Sequence, residues 1–144
     1  IVKKKSKYIE CKHLINWVLE SEHLNKYNEI EKHKQFFKEC QNHKILLKQL
    51  LLTLKKQNKK ISEYGASTKG NVLLQYCNIN SKLLDYISEV NKFKFNKYTP
   101  GSNIKIISEK EAKIKKPDYM LVLPWHFKDH ILQKEQHFLK MEVN

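Results

Sequence analysis

Apolar residues fall at helical spacing from about Ile9 to Leu24, where Leu14, Ile15, Trp17, Val18 and Leu24 make a stripe along one side. A second helical pattern follows. Asn28 with Glu31 three residues on reads as a capping box, and Phe37, Cys40, Leu47, Leu51 and Leu54 keep to one side through about Lys56, widened by Phe36, Leu46 and Leu50. Both stripes are expected to pack into a core rather than a coiled coil, because clean heptads do not persist. From Lys60 the period changes. Ile61 to Tyr64 reads as a strand, Asn71 to Cys77 as a short helix, and Leu83 to Ser88 and Ile104 to Ile107 as further strands. Ser108 and Glu111 make another capping box for a helix that ends before Pro117. Tyr119 to Leu123 is apolar throughout, as in a strand covered on both faces, and Pro124 ends it. A last helix is expected from about Phe127 to Lys140, with Phe127, Ile131, Phe138 and Leu139 inward and Leu132 and Glu135 at the border.

Strands alternating with helices imply right-handed crossovers and a parallel sheet. The expected fold is therefore α/β and Rossmann-like, with two N-terminal helices over residues 1–58 and the sheet domain over 59–144. Such sheets bind ligands at the carboxyl ends of their strands, beside the point where strand order reverses. If Tyr119 to Leu123 lies on the far side of the first strand, the segments Gly65 to Gly70 and Pro124 to His126 face one crevice. Glu89 would stand beside them, where these folds often turn an acid toward a ribose hydroxyl.

The three glycines sharpen this picture. Gly65 and Gly70 flank Ala-Ser-Thr-Lys, so the backbone there is expected to need a positive φ or a close approach. Free N–H groups at the start of the following helix, with Ser67, Thr68 and Lys69, suit a phosphate or carboxylate. Neither G-x-G-x-x-G nor G-x-x-x-x-G-K-[ST] can be written over the segment. Pro100-Gly101 fits the centre of a type II turn.

The net charge of +13 would ordinarily suggest nucleic acid, yet all 28 basic residues are lysine, without the arginine fork that base readout uses. No specific nucleic-acid partner is expected. Cys11, Cys40 and Cys77 are too widely spaced for a thiolate zinc site and read as small core residues in a reducing compartment. His126 and His130 could share a helix face but lack a third ligand, so no metal is expected; His126 with Trp125 reads better as a polar and stacking pair. No apolar run approaches a membrane span and no signal-peptide core is present, which makes a cytoplasmic protein the expectation. Ile1 stands first instead of Met, and Met141 to Asn144 read as a strand that stops early, as in a domain cut from a longer protein.

Four motifs, taken together and in order, carry a resemblance. They are Tyr64-Gly65-Ala66-Ser67-Thr68-Lys69-Gly70-Asn71 with Leu73-Leu74-Gln75-Tyr76-Cys77, then Lys97-Tyr98-Thr99-Pro100-Gly101, Lys116-Pro117-Asp118-Tyr119, and Leu123-Pro124-Trp125-His126-Phe127-Lys128. The chain resembles the C-terminal domain of S-adenosylmethionine-dependent C-methyltransferases that act on nucleotide-linked sugars. That resemblance implies a nucleotide-sugar substrate and two further domains, an N-terminal zinc-binding module and a central domain that holds the methyl donor. It assigns no catalytic residue to this chain. Gly65, Ser67, Thr68, Lys69, Gly70, Glu89, Tyr98, Trp125 and His126 are the expected substrate-binding residues. Where the family tends toward Asp-Arg-Asn-Pro after the second strand, this chain has Glu89-Val90-Asn91-Lys92, and Asn96 replaces a usual glycine. The rival expectation is a non-catalytic binding or scaffold module of the same fold.

Overall fold

A computed structural model describes residues 11–140. Two compact units divide at Asn42 and His43. The first contains α1 (Lys12–Leu24) and the opening turns of α2 (Ile30–Lys56). The second adds β1 (Ile61–Tyr64), α3 (Thr68–Tyr76), β2 (Tyr86–Glu89), β3 (Ile106–Ser108), α4 (Glu109–Lys115), β4 (Tyr119–Leu121), α5 (Lys128–Lys134) and α6 (Gln136–Leu139). Its four strands are parallel in the order β3-β2-β1-β4. The expected Rossmann-like sheet is thus present, and the reversal lies between β1 and β4.

β1 is paired on both sides, with Glu63 opposite both Ile87 and Leu121. Because side chains alternate along a strand, Ile61 and Glu63 share one face and Ser62 and Tyr64 the other. The main core holds Leu51, Ile61, Leu74, Cys77, Ile79 and Ile87, with Leu47 and Leu54 of α2 packed against it. Tyr86, Ile107 and Ala112 form a smaller second cluster.

Caps explain where the short helices begin. Ser67 Oγ accepts the Gly70 N–H at 2.9 Å and Ser108 Oγ the Glu111 N–H at 3.1 Å. Glu109 and Glu111 then occupy the first turn of α4 and Lys113 and Lys115 its last, matching the helix dipole. α3 starts earlier than the apolar pattern suggested, because the Ser67 cap recruits Thr68, Lys69 and Gly70 into the helix. What read as a long loop is only Gly65 to Ser67.

The two glycines of that segment meet the two expectations separately. Gly65 has φ +84°, whereas Gly70 is an ordinary helical residue whose added Cβ would lie 2.7 Å from Glu63 Oε1 and 2.9 Å from Ser67 Oγ. Gly70→Ala should therefore disturb both the cap and the carboxyl beneath it. The better helix propensity of Ala offsets part of the overpacking, leaving a loss of about 1–2 kcal/mol. Thermal unfolding of Gly70→Ala with and without Glu63→Ala checks the cause: the second change should recover part of the loss, and simple additivity would rule it out.

Several boundaries differ from the pattern. β2 begins at Tyr86 because the Leu83 and Leu84 amides are spent on Asn80 O, at 2.9 and 3.1 Å. β3 begins at Ile106 because Ile104 donates to Thr99 Oγ1 and accepts from the Thr99 N–H. The turn at Pro100-Gly101 is longer than a type II turn, closed by the Asn103 N–H on Thr99 O with Gly101 at φ +74°. β4 stops at Leu121 and is half-exposed, since it is an edge strand among the described residues. The last helix breaks at Glu135 (φ −102°, ψ 25°), which is buried, while Phe127 and Leu139 are exposed. α2 starts at Ile30, and the expected Asn28 cap is replaced by a turn in which Lys26 takes φ 58°.

The N-terminal stripes depart most. Leu14, Ile15, Trp17, Val18, Phe36 and Phe37 are exposed rather than in a core, and Cys11 is exposed too. Amphipathic spacing marks a face that can be buried, not one that is. The start of the first helix at Ile9 and the strand expected at Met141 to Asn144 lie outside the described residues.

Candidate functional site

The carboxyl ends of β1, β2 and β4 open onto a crevice of about 400 Å³. Its floor is Gly65, Ala66 and Ser67 after β1, with Ser88, Glu89 and Val90 at the end of β2. Pro124, Phe127 and Ile131 give an apolar opposite wall; Tyr64, Lys94, Glu109, His130 and Lys134 supply its polar groups.

Glu89 organises one side. It is 7% exposed, and its Oε1 accepts the N–H groups of Val90 and Asn91 at 2.8 and 3.0 Å. Oε2 takes the Ala66 N–H and the Lys94 ammonium, both at 3.1 Å. Lys94, itself partly exposed, also donates to Ala66 O at 2.8 Å, so its ion pair with the buried Glu89 ties the β1 loop to the turn after β2. Burial alone would raise the Glu89 pKa, but the Asn91, Lys94 and Val90 donors outweigh it and hold the carboxyl below its usual range. Gly65 completes the loop, its N–H reaching Ser88 O at 2.8 Å.

Tyr64 organises the other side. Its hydroxyl donates to Glu109 Oε1 at 2.9 Å and lies 3.4 Å from Glu135 Oε1, while Lys134 pairs with Glu109 and stands 5.6 Å over the Tyr64 ring. Burial, with Glu109 beside it, pushes the Tyr64 pKa up to about 12. Tyr64 therefore stays a neutral hydrogen-bonding group across the physiological range. Burial opposes ionisation of Glu109, yet Lys134 and the Tyr64 hydroxyl hold it below the usual carboxylate range.

A family model described as the C-methyltransferase C-terminal domain matches residues 1–144, the whole chain. The chain belongs to this family. It is also similar to the C-methyltransferase NovU of Streptomyces niveus, with 30% identity over 108 residues, which are 75% of this chain and 26% of that protein. The chain thus spans about a quarter of the length of the curated relative it matches.

For this C-methyltransferase domain, the expected site residues fall into three groups. Gly65, Ser67 and Glu89 line the crevice together, and Thr68 with Ser67 lines a smaller adjoining hollow. Gly70 is buried beneath the helix start, and Lys69 is exposed on the first turn of α3. Tyr98, Trp125 and His126 are exposed and outside the crevice lining, where Phe127 and His130 stand instead. The short turn at Trp125–Phe127 sets this, because it carries the chain on into α5 with Phe127 and His130 toward the crevice. Lys94, Glu109 and Lys134 went unread because their partners lie up to 45 residues away in sequence.

The residues after β1 and β2 do not fit the methyl donor that C-methyltransferases use. A donor site of this fold needs an acid with free oxygens for a ribose. Glu89 gives its oxygens to four protein donors. Among the described residues no three His, Cys, Asp or Glu side chains converge to hold a metal, and no helix is long and apolar enough to cross a membrane.

Proposed function

We propose that this domain is the substrate side of an S-adenosylmethionine-dependent C-methyltransferase acting on a nucleotide-linked sugar. It closes over that substrate, while the methyl donor and the structural zinc are held by other domains of the same cytoplasmic enzyme. The observation that carries the reading is the crevice at the reversal between β1 and β4. Its apolar wall suits the faces of a base and a sugar ring, and because Lys94 and Lys134 are held by Glu89 and Glu109, the phosphate falls to the start of α3.

Within this reading Gly65 lets the ligand approach the backbone, and the start of α3 meets a phosphate. The Gly70 N–H is already taken by Ser67 Oγ and the Asn71 N–H by Ser67 O, so Thr68 and Lys69 carry the open donors of the first turn. Tyr98, Trp125 and His126 are contacts from the rim, and Glu89 acts through the loops it holds.

Calorimetric titration of the full-length enzyme with a panel of nucleoside diphosphate sugars that vary in base and sugar tests it. Lys69→Ala should cost up to about 1 kcal/mol of binding, because Lys69 is exposed and its contact is screened by water. Phe127→Ala should weaken binding through the lost apolar wall. Unchanged affinity in Phe127→Ala, with the fold intact, excludes the crevice as the binding site, and unchanged affinity in Lys69→Ala excludes the phosphate contact at the start of α3.

A further inference from the structure

α1 carries Leu14, Ile15, Trp17, Val18 and Leu19 on neighbouring turns, and each is between 44% and 63% exposed. The first turns of α2 add Ile30, Phe36 and Phe37, all above 60%. A helix of 13 residues with no side-chain cap at its N-terminus is marginal in water unless its apolar stripe is covered. Contiguous apolar patches of this kind mark interaction sites.

Charge narrows the occupant. Residues 11–42 contain five lysines and five glutamates, whereas residues 43–140 contain nineteen lysines and eight acidic residues, an excess of eleven. A second copy of the chain would bring two strongly basic bodies together, which self-repulsion opposes. A membrane surface is also a poor match, because the polar side of α1 carries Glu20 and Glu22 against a single Lys12, not the lysine-rich face such helices use. A protein surface of mixed or neutral charge fits best. The family supplies one, since this is by description a C-terminal domain and the matched relative is about four times the length it shares with this chain.

We infer that α1 and the first turns of α2 form the seat on which the remainder of the C-methyltransferase polypeptide packs. The exposed stripe is the covered face of an interdomain contact. The inference rests on family membership and not on the ligand read into the crevice, so failure of nucleotide-sugar binding leaves it standing.

Hydrogen exchange of α1 backbone amides, measured in the natural full-length polypeptide and in the 144-residue chain, provides the test. Exchange in α1 should be at least about tenfold slower in the full-length polypeptide. Val18→Glu and Leu14→Glu, at positions already exposed in the isolated chain, should abolish that protection while β1 and β2 amides stay protected in both forms. Three results would overturn the inference: equal exchange in the two forms, protection that survives both substitutions, or slow α1 exchange in the isolated chain that tracks its self-association by sedimentation. A natural polypeptide without further domains would overturn it as well.

Discussion

Stability of the sheet unit should fall as pH rises between 4.5 and about 8, by up to about 1.4 kcal/mol per pH unit, and Glu63→Gln should flatten that slope. Glu63 sits in the central strand, 1% exposed, with both carboxyl oxygens buried and without a hydrogen-bond partner among the described residues. Burial pushes its pKa up to about 8 from 4.5. In that window the native state holds a proton that the unfolded chain has released, so raising the pH favours unfolding. The penalty is complete once Glu63 ionises in the native state. Glu89 and Glu109 act with the opposite sign: their pKa values are held down, and their stabilisation is lost only as the pH falls toward acid. A stability maximum near pH 5 follows. Urea unfolding at pH 5, 6.5 and 8 measures the slope in the parent and in Glu63→Gln, and an equal slope in both would refute the assignment.

Glu89→Ala should cost about 3 kcal/mol or more, because four donors lose their common acceptor and the Lys94 ammonium loses its counter-charge. Part of that loss is the penalty for donors left without a partner in a partly buried place, not the worth of the bonds themselves. The damage is also local. Ala66 and Lys94 would no longer be tied, so exchange should rise in Gly65 to Ser67 and in Val90 to Lys94 before it rises in β1. Glu89→Gln keeps the shape but turns an NH2 group toward two of the four donors, so it should cost nearly as much. Chemical denaturation gives the total and amide exchange gives the location. A loss below about 1 kcal/mol for the Ala variant would show that the loops stand without Glu89.

Period, caps and punctuation in the sequence determine much of this protein. The change of apolar spacing at Lys60, the Ser108 cap, and the strand patterns at Ile61 and Tyr119 were enough for a parallel α/β sheet, because these signals are local and each side chain alternates or recurs with its own element; that β4 lies on the far side of β1 was decided by strand pairing. The family motifs were equally legible, since they are short runs of adjacent residues. Tertiary structure alone decided the rest. Whether the stripe of α1 is buried depends on what lies opposite it, and spacing carries no information about that. Glu63 interrupts an ordinary strand pattern, yet its protonation follows from β2 and β4 closing on both sides and α3 lying above. Glu89 looked like a ligand's partner because it ends a strand. It became a clamp because Ala66 and Lys94 converge on it from other segments, and a carboxylate has only so many lone pairs to share.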